Sequence, residues 1–114
     1  MKINVAKDFS TCPGGRLKSS GAFSAEEFRD EILVPKFQEA IKQNDNLEID
    51  LSGSSGYASS FLEESFGGLV RSVPSGYTAD AWEKEIVLRV SIMCPDDHDC
   101  CLEAIYCIQD ALSR

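Results

Sequence analysis

Apolar and polar residues alternate in two short stretches of the chain, residues 3–6 and residues 47–51. This period of two is typical of a strand with one buried face, so both stretches are predicted to be β-strands. A third stretch, residues 85–93, is the run richest in β-branched side chains and is followed by Pro95. Such a run favours a buried strand, which we expect at the centre of the sheet. A further short strand is expected to begin at Arg16.

Three other stretches carry apolar residues at helical spacing. Ser24 followed by Glu27 is a capping-box pattern, which predicts that the first helix starts at about residue 25. Pro35 lies inside this helical pattern and either kinks one helix or opens a second segment. Asp96 or Asp97 is the expected N-cap of the last helix. The second and last helices have apolar stripes formed by Leu62, Phe66, Leu69 and Val73 and by Cys101, Ile105, Ile108 and Leu112.

Strand and helix patterns alternate at least three times along the chain. This alternation predicts an α/β fold in which helices pack on a mixed or mainly parallel sheet. We expect four to five strands, with the helices mostly on one face. The chain has 114 residues, which is the length of a single domain spanning residues 1–114.

Residues 74–84 show neither pattern and are predicted to form a mobile loop. Tyr77 and Trp82 in this segment belong to no clear apolar stripe. Exposed aromatic side chains here would favour a partner-binding surface, whereas buried ones would only complete the packing. The sequence leaves both interpretations open.

The chain is strongly acidic, with 11 Lys and Arg residues against 19 Asp and Glu residues and a net charge of −8. This balance disfavours nucleic acids and anionic membranes, because both are bound through clustered Lys and Arg. The five cysteines are an odd number, so they cannot all form internal disulfides, and a reducing compartment is favoured. Without a signal-peptide pattern or an apolar segment of membrane-spanning length, we expect a cytoplasmic protein.

Residues 47–73 combine a strand, a loop rich in glycine and serine, and an amphipathic helix. Ser59 and Ser60 stand where the loop meets the helix. The free N–H groups and positive dipole of a helix start favour an anionic group, so both serines are candidate phosphoacceptors. The alternative is that one of them only caps the helix.

Glu63 and Glu64 follow in the same helix, where acidic residues suit the positive end of the dipole. They would also repel a phosphate on Ser59. In a surface that binds a partner without phosphorylation, the two carboxylates could instead accept an arginine of that partner.

The turn Gly14-Gly15-Arg16 is the candidate site for an anion or small ligand. Glycine backbones can present several N–H groups in a concave nest, and the Arg16 guanidinium adds a bidentate donor. The alternative is a simple tight turn, which consecutive glycines also mark. Arg16 would then pair with Asp8 or Asp50.

Neither a metal site nor a catalytic centre has a matching motif in this sequence. Cys94, His98, Cys100 and Cys101 are residue types that bind zinc, but their spacing fits poorly and Cys101 lies on an apolar stripe. Free thiols packed as small hydrophobic residues explain them better. The single histidine beside an acidic turn is little material for catalysis, so we expect no enzymatic activity and no cofactor.

Several short signatures carry a resemblance to a known family. Asp50-Leu51-Ser52-Gly53 is followed after five residues by Ser59-Ser60, an apolar run and a helix that contains glycine. This order resembles STAS domains of the anti-sigma factor antagonist class. With Asp8-Phe9-Ser10, Pro13-Gly14-Gly15-Arg16 and residues 59–68, the chain is similar, over roughly residues 3 to 71, to a short prokaryotic STAS-like family of unknown function.

The resemblance implies a STAS-like sandwich fold and a regulatory role exerted through protein binding. In STAS antagonists, a histidine-kinase-like (GHKL) ATPase phosphorylates the first of the two serines. For this chain the resemblance therefore implies Ser59 as phosphoacceptor and such an ATPase as partner. The chain departs from the antagonist pattern at Ala58, where those proteins have a second aspartate, and at Phe61, where they have glycine.

The predicted function is a regulatory protein–protein interaction domain. Its predicted partner surface surrounds the candidate switch and comprises Gly56, Tyr57, Phe61, Glu63 and Glu64. One alternative is a small-ligand or nucleotide-binding module that uses the Gly14-Gly15-Arg16 turn. Another is a self-associating scaffold that uses Tyr57, Phe61 and Trp82.

Overall fold

The computed structural model describes all 114 residues. Its sheet has three parallel strands in the order β1-β2-β3, namely β1 (Lys2–Asn4), β2 (Leu47–Asp50) and β3 (Val90–Met93). The α/β class and the parallel pairing agree with the sequence prediction. The expected four to five strands are not confirmed, because Arg16 begins no strand.

Five helices accompany the strands, and none of them has the length and apolar character needed to cross a bilayer. A single turn, α1 (Val5–Asp8), directly follows β1. Helices α2 and α3 span residues 25–42 and 59–71, and each is continuous with one π-helical turn inside it. The remaining helices are α4 (Ala79–Arg89) and α5 (His98–Leu112), and a short 3-10 turn (Lys18–Ser20) precedes α2.

Two helix starts use the caps expected from the sequence. The Ser24 hydroxyl accepts a hydrogen bond from the Glu27 N–H at 3.1 Å at the start of α2. At the start of α5, the Asp97 carboxylate accepts one from the Cys100 N–H at 3.2 Å. Each cap satisfies one of the free N–H groups of the first turn and so fixes where the helix begins.

β1 is shorter than the alternation over residues 3–6 predicts. The Asn4 side chain accepts a hydrogen bond from the Lys7 N–H at 3.0 Å, so the chain turns into α1 at this point. Val5 still follows the apolar pattern and is fully buried. A short apolar pattern does not by itself distinguish a strand from a helical turn, which explains the difference.

β3 begins later than expected and lies at the edge of the sheet, not at its centre. Thr78 caps α4 by accepting a hydrogen bond from the Ala81 N–H at 3.1 Å, and the helix continues through residues 85–89. The prediction of a strand over residues 85–93 was therefore wrong in its first half. A capped first turn followed by good helix formers outweighs the β-branched residues that come after it.

Pro35 does not separate α2 into two helices. It lies just after the π-helical turn Arg29–Leu33, at the second position of the segment Val34–Lys42. Proline lacks an N–H and its ring displaces the carbonyl four residues earlier, and a widened turn accommodates both defects. Of the two alternatives, a single distorted helix is correct.

The long helices pack on one face of the sheet, as predicted. Ile3, Ile49 and Ile92 are in register across the three strands and face the core. The residues one position earlier on each strand face the other side and are exposed. The covered face and the helices packed on it together form one hydrophobic cluster of 21 buried residues. The other face is open to solvent.

The aromatic residues of the predicted 74–84 loop are packed, and the loop is shorter than expected because α4 begins at Ala79. Trp82 is fully buried, and its indole N–H donates to the Leu69 carbonyl at 2.8 Å. Its ring centroid lies 5.0 Å from that of Phe37 and 5.1 Å from that of Tyr77. The packing interpretation of Trp82 is correct, so this side chain is not available for self-association.

Candidate functional site

The start of α3 presents two serines that do not cap the helix. Ala58 occupies the N-cap position, and no side-chain hydrogen bond closes the first turn. Ser59 and Ser60 are the first two helical residues, and Ser59 is exposed while Ser60 is half-buried. The interpretation of one serine as the cap was therefore wrong.

The loop before α3 is ordered by its own polar contacts. Asp50, at the end of β2, accepts hydrogen bonds from the Ser52 N–H at 2.9 Å and from the Ser52 hydroxyl at 2.7 Å. The Tyr57 hydroxyl donates to the Leu51 carbonyl at 2.9 Å. Burial raises the pKa of Tyr57 to about 12, so this hydroxyl stays a neutral donor. These contacts hold the chain that leads into Ser59 in a defined path.

Two residues of the predicted partner surface have structural roles. Phe61 is fully buried, and its ring centroid lies 6.0 Å from that of Phe28 and 5.8 Å from that of Tyr57. Gly56 is exposed and has a φ of +135°, a conformation that favours glycine. Phe61 is thus a core residue and not a contact for a partner, whereas Gly56 shapes the exposed loop.

Glu63 and Glu64 form ion pairs with three arginines of the same chain. Arg71 donates two hydrogen bonds to Glu63, at 2.8 and 3.0 Å. Arg16 Nη1 donates to Glu63 at 2.8 Å and to Glu64 at 3.2 Å, and Arg29 Nη1 donates to Glu64 at 2.5 Å. We call these five residues the arginine–glutamate network. Both carboxylates already pair with arginines of the same chain, so an arginine of a partner would have to compete with these contacts.

Gly67 and Gly68 leave room for this network on α3. A Cβ added to Gly67 would lie 2.4 Å from Glu63 Oε2 and 3.0 Å from Arg71 Nη1. One added to Gly68 would lie 3.0 Å from two side-chain atoms of Arg29. Each glutamate is therefore followed, after four residues, by the glycine that makes space for its arginine. The packing of the arginines along α3 therefore explains both the adjacent glutamates and the adjacent glycines.

The network keeps Glu63 ionised. Hydrogen bonds from Arg71 are the main cause that lowers the pKa of Glu63 to about 2; partial burial opposes them, and the hydrogen bond from Arg16 adds to them. The pKa values of Arg16 and Arg71 are raised, chiefly by their hydrogen bonds to Glu63. Glu63, Arg16 and Arg71 therefore all stay charged near neutral pH.

The Gly14-Gly15-Arg16 turn does not form an open anion site. The Arg16 guanidinium binds the two glutamates of the network, and neither of the aspartates considered from the sequence. The Gly14 N–H donates to the Phe23 carbonyl at 2.8 Å, so it is not available in a nest. A Cβ on Gly14 would lie 2.5 Å from the Ala22 carbonyl oxygen, which explains the glycine as a close backbone approach. The tight-turn alternative fits these contacts.

A small cavity of about 190 Å³ lies at the carboxyl ends of β2 and β3, where open α/β sheets usually bind ligands. Its lining includes Ser54, Asp96, Cys94 and Cys100 but no Lys or Arg. Burial is the main cause that raises the pKa of Cys94 to about 12 and that of Cys100 to about 11, so both thiols are neutral. A cavity without a cation does not suit the phosphates of a nucleotide, and nothing here favours the nucleotide-binding alternative.

The cysteines considered as metal ligands are packed in the core. Cys94, Cys100 and Cys101 belong to the main hydrophobic cluster. The Cys101 thiol donates to the Ile92 carbonyl at 3.2 Å, whereas His98 is exposed at the start of α5. These positions agree with the interpretation of the thiols as small hydrophobic residues.

Arg29 and Arg71 were not predicted as site residues. A signal for Arg71 is present in the sequence, since it follows Glu63 by eight residues with Gly67 halfway between them. On a helix, a glycine four residues after a glutamate leaves a bare path along which an arginine one turn further can reach back. No comparable local signal exists for Arg29, which lies 35 residues from Glu64.

A parallel sheet covered on one face by helices, with paired serines at the start of one helix, agrees with the STAS-like α/β fold that the sequence signatures imply. Residues 24–87 match the family described as "STAS-like domain of unknown function (DUF4325)". The match covers more than half of the chain, which therefore belongs to this family. It includes α2, β2 and α3, but it begins after Arg16, further along than the resemblance over residues 3–71 suggested. No curated protein and no solved structure matches the chain.

Proposed function

We propose that the protein is a regulatory domain that binds another protein through the start of α3, as anti-sigma factor antagonists of the STAS class do. The surface proposed for the partner is residues 54–60, which we call the helix-start surface. Within this surface, Ser59 is exposed in the first turn of α3, and no side-chain cap occupies that turn. The proposal depends on this observation, because a serine engaged as a cap would be unavailable as a switch.

The proposed partner is a histidine-kinase-like (GHKL) ATPase. Membership of a STAS-like family and the antagonist-like order of Asp50, Ser59 and Ser60 support this choice. The net charge of −8 further suits a partner with a basic docking surface. The domain itself performs no catalytic step in this proposal, since the ATPase supplies the phosphoryl transfer.

Phosphorylation of Ser59 is the proposed switch. A phosphate adds about −1.5 to −2 charges near neutral pH, and on Ser59 it would stand within the helix-start surface. The sequence suggests that Glu63 and Glu64 repel such a phosphate. Both carboxylates are paired with arginines, which reduces that repulsion.

Affinity capture from a host lysate tests the proposal, with the bound proteins identified by mass spectrometry. We expect wild type and Ser59→Ala to retain an ATPase and Ser59→Asp to lose it. Ser75→Asp is the matched control, since Ser75 is an exposed serine in the turn before α4, away from the helix-start surface. Retention of the ATPase by Ser59→Asp would contradict the switch, and capture of no ATPase by any variant would contradict the proposed partner.

A further inference from the structure

Ser59 and Ser60 differ in their position relative to the arginine–glutamate network. Residues three or four apart lie on the same face of a helix. Ser60 stands three residues before Glu63 and four before Glu64, so it shares a face with both, whereas Ser59 shares one with Glu63 only. The half-buried state of Ser60 and the exposure of Ser59 agree with this placement.

The Arg16 guanidinium contacts both of the glutamates that share a helix face with Ser60. One nitrogen, Nη1, donates to Glu63 at 2.8 Å and to Glu64 at 3.2 Å, so it is placed between the two carboxylates. The backbone of Arg16 is held independently of the side chain, because its carbonyl accepts a hydrogen bond from the Glu26 N–H at 3.0 Å. The side chain can therefore change partners while the turn stays in place.

Arg16 is also the arginine that the network can release most easily. Without it, Glu63 keeps two hydrogen bonds from Arg71 and Glu64 keeps one from Arg29. The Arg16 side chain is 40% exposed, against 15% for Arg29. Arg71 is 46% exposed, but it is held on Glu63 through two nitrogens, whereas Arg16 donates through Nη1 alone. Asp30 also accepts a hydrogen bond from Arg29 Nε at 2.9 Å, so Arg29 is held by two carboxylate partners and Arg16 is the more exposed of the two arginines on Glu64.

We infer that Arg16 is positioned to bind a phosphate on Ser60, while a phosphate on Ser59 stays in solvent. This inference rests on the proposed phosphorylation of the helix start. A phosphate offers three acceptor oxygens and nearly two charges, and Arg16, which reaches both carboxylates through Nη1 alone, has further N–H groups to donate to it. Within the domain, Arg16 then partly neutralises a phosphate on Ser60. Only a phosphate on Ser59 presents its full charge to a partner. Phosphorylation of the two neighbouring serines would therefore affect partner binding differently.

Full-length protein with phosphoserine incorporated during translation at position 59 or 60 tests this inference without a partner or a kinase. The second ionisation of the phosphate is followed by ³¹P NMR in the wild-type background and in Arg16→Gln. With the phosphate on Ser60, we expect Arg16→Gln to raise the pKa of the phosphate by roughly half a unit, because a nearby cation favours the dianion. With the phosphate on Ser59, we expect no change.

Two further variants serve as controls in the same titration. Lys18→Gln removes a positive charge two residues away, at the start of the 3-10 turn, and it should leave the pKa of either phosphate unchanged. Arg16→Lys keeps the charge but lacks the planar fork, and its effect on the Ser60 phosphate should lie between those of wild type and Arg16→Gln. Circular dichroism of each protein shows that the fold is retained.

Equal pKa values for the Ser60 phosphate in folded wild type and folded Arg16→Gln would overturn the inference. An equal dependence on Arg16 at both serines would overturn it as well, because the two positions would then not differ. The capture experiment and the titration test separate claims. An ATPase that still binds Ser59→Asp contradicts the proposed switch, but it says nothing against a contact between Arg16 and a phosphate on Ser60.

Discussion

Gly67 shows at the scale of one residue how the site constrains the sequence of α3. In an ordinary helix, Gly→Ala stabilises by about 0.5–1 kcal/mol. At position 67 the new Cβ would lie 2.4 Å from Glu63 Oε2, so the carboxylate would have to move away from Arg71. We expect Gly67→Ala to lose most of the usual gain and to recover it in a Glu63→Ala background. Denaturant unfolding of wild type, Gly67→Ala, Glu63→Ala and the double variant should give a coupling free energy of about 0.5–1 kcal/mol between the two positions.

Gly68→Ala combined with the same Glu63→Ala substitution is the control for this cycle. The Cβ added at position 68 would meet Arg29 and Glu64 but not Glu63. The two substitutions should therefore couple much less strongly in the free energy of unfolding than Gly67→Ala and Glu63→Ala do. Additive behaviour at Gly67 itself would contradict the path of the Glu63–Arg71 pair over that glycine.

Glu63 also gives the stability of the protein a dependence on pH. Its pKa is about 2 in the folded protein, against about 4.3 in an unfolded chain. A lowered folded-state pKa contributes stability above the unfolded value, and this contribution is lost as the pH falls from about 4.3 toward the folded value. Because the side chain is 36% exposed, we expect Glu63→Gln to destabilise by at most about 1 kcal/mol near neutral pH.

Urea unfolding of wild type and Glu63→Gln at several pH values measures this contribution. The difference in free energy of unfolding between the two proteins should shrink steadily as the pH is lowered from about 5 toward about 3, since wild-type Glu63 then approaches the protonated form. A difference that stays constant over this range would show that the arginines do not stabilise the ionised form of Glu63.

At the scale of the elements, the sequence predicts best where a residue has its partner a few positions away. The caps Ser24 and Asp97 bind N–H groups three residues on, so a short pattern contains the whole interaction. The prediction of a strand over residues 85–93 failed for the opposite reason. This β-branched run fits either a strand or a helix, and Thr78, which lies outside the run, starts the helix that extends into it.

In the candidate site too, the sequence predicts the residues with local signals and misses the contacts between distant residues. Ser59 and Ser60 were placed at a helix start from the local strand–loop–helix order, and α3 begins there. The partners of Glu63 and Glu64 were missed because Arg16 and Arg29 approach them from 47 and 35 residues away. Such pairings depend on how α2 and its preceding turn pack beside α3, and no periodicity in the sequence encodes that packing.

Because residues 85–89 are helical, truncating their side chains to alanine should lower the free energy of unfolding by very different amounts. Ile86 is 1% exposed, whereas Val87 and Leu88 are 70% and 69% exposed. Ile86→Ala should lower the free energy of unfolding by about 2–4 kcal/mol, and Leu88→Ala by less than about 0.5 kcal/mol. Val87→Ala is a second exposed site and should match Leu88→Ala. Similar large losses at all three positions in denaturant unfolding would instead fit a central strand.

At the scale of the whole molecule, the core and the arginine–glutamate network have separate roles. The core joins α2 to α3 through stacked rings such as Phe28 and Phe61, whose centroids are 6.0 Å apart. The network joins the same helices at the surface, where Arg16 is 40% exposed. Because 21 buried residues hold the fold together, the contacts of Arg16 can change without loss of the fold. This separation is what a surface switch requires.

Trp82 is suited to report on the unfolding of the whole molecule. It lies in α4, its ring packs on Phe37 of α2 with a centroid distance of 5.0 Å, and its indole N–H donates to Leu69 of α3. The chain has one tryptophan, so its fluorescence has a single source. Since the buried apolar residues form one cluster that includes α5 and the sheet, we expect one cooperative transition. The denaturant midpoints from Trp82 fluorescence and from far-UV circular dichroism should coincide.

Two separate midpoints would contradict a single domain over residues 1–114, because helices α2 to α4 would then unfold apart from the rest of the chain. Trp82→Phe, followed by circular dichroism alone, provides the matched variant. It removes the indole N–H, so the Leu69 carbonyl keeps only the longer hydrogen bond from the Ser72 N–H at 3.4 Å, and it replaces the buried indole with a smaller ring. The free energy of unfolding should therefore fall by about 1–3 kcal/mol. The slope of the free energy of unfolding against denaturant concentration should match that of wild type, because the surface exposed on unfolding of one cooperative unit is nearly unchanged.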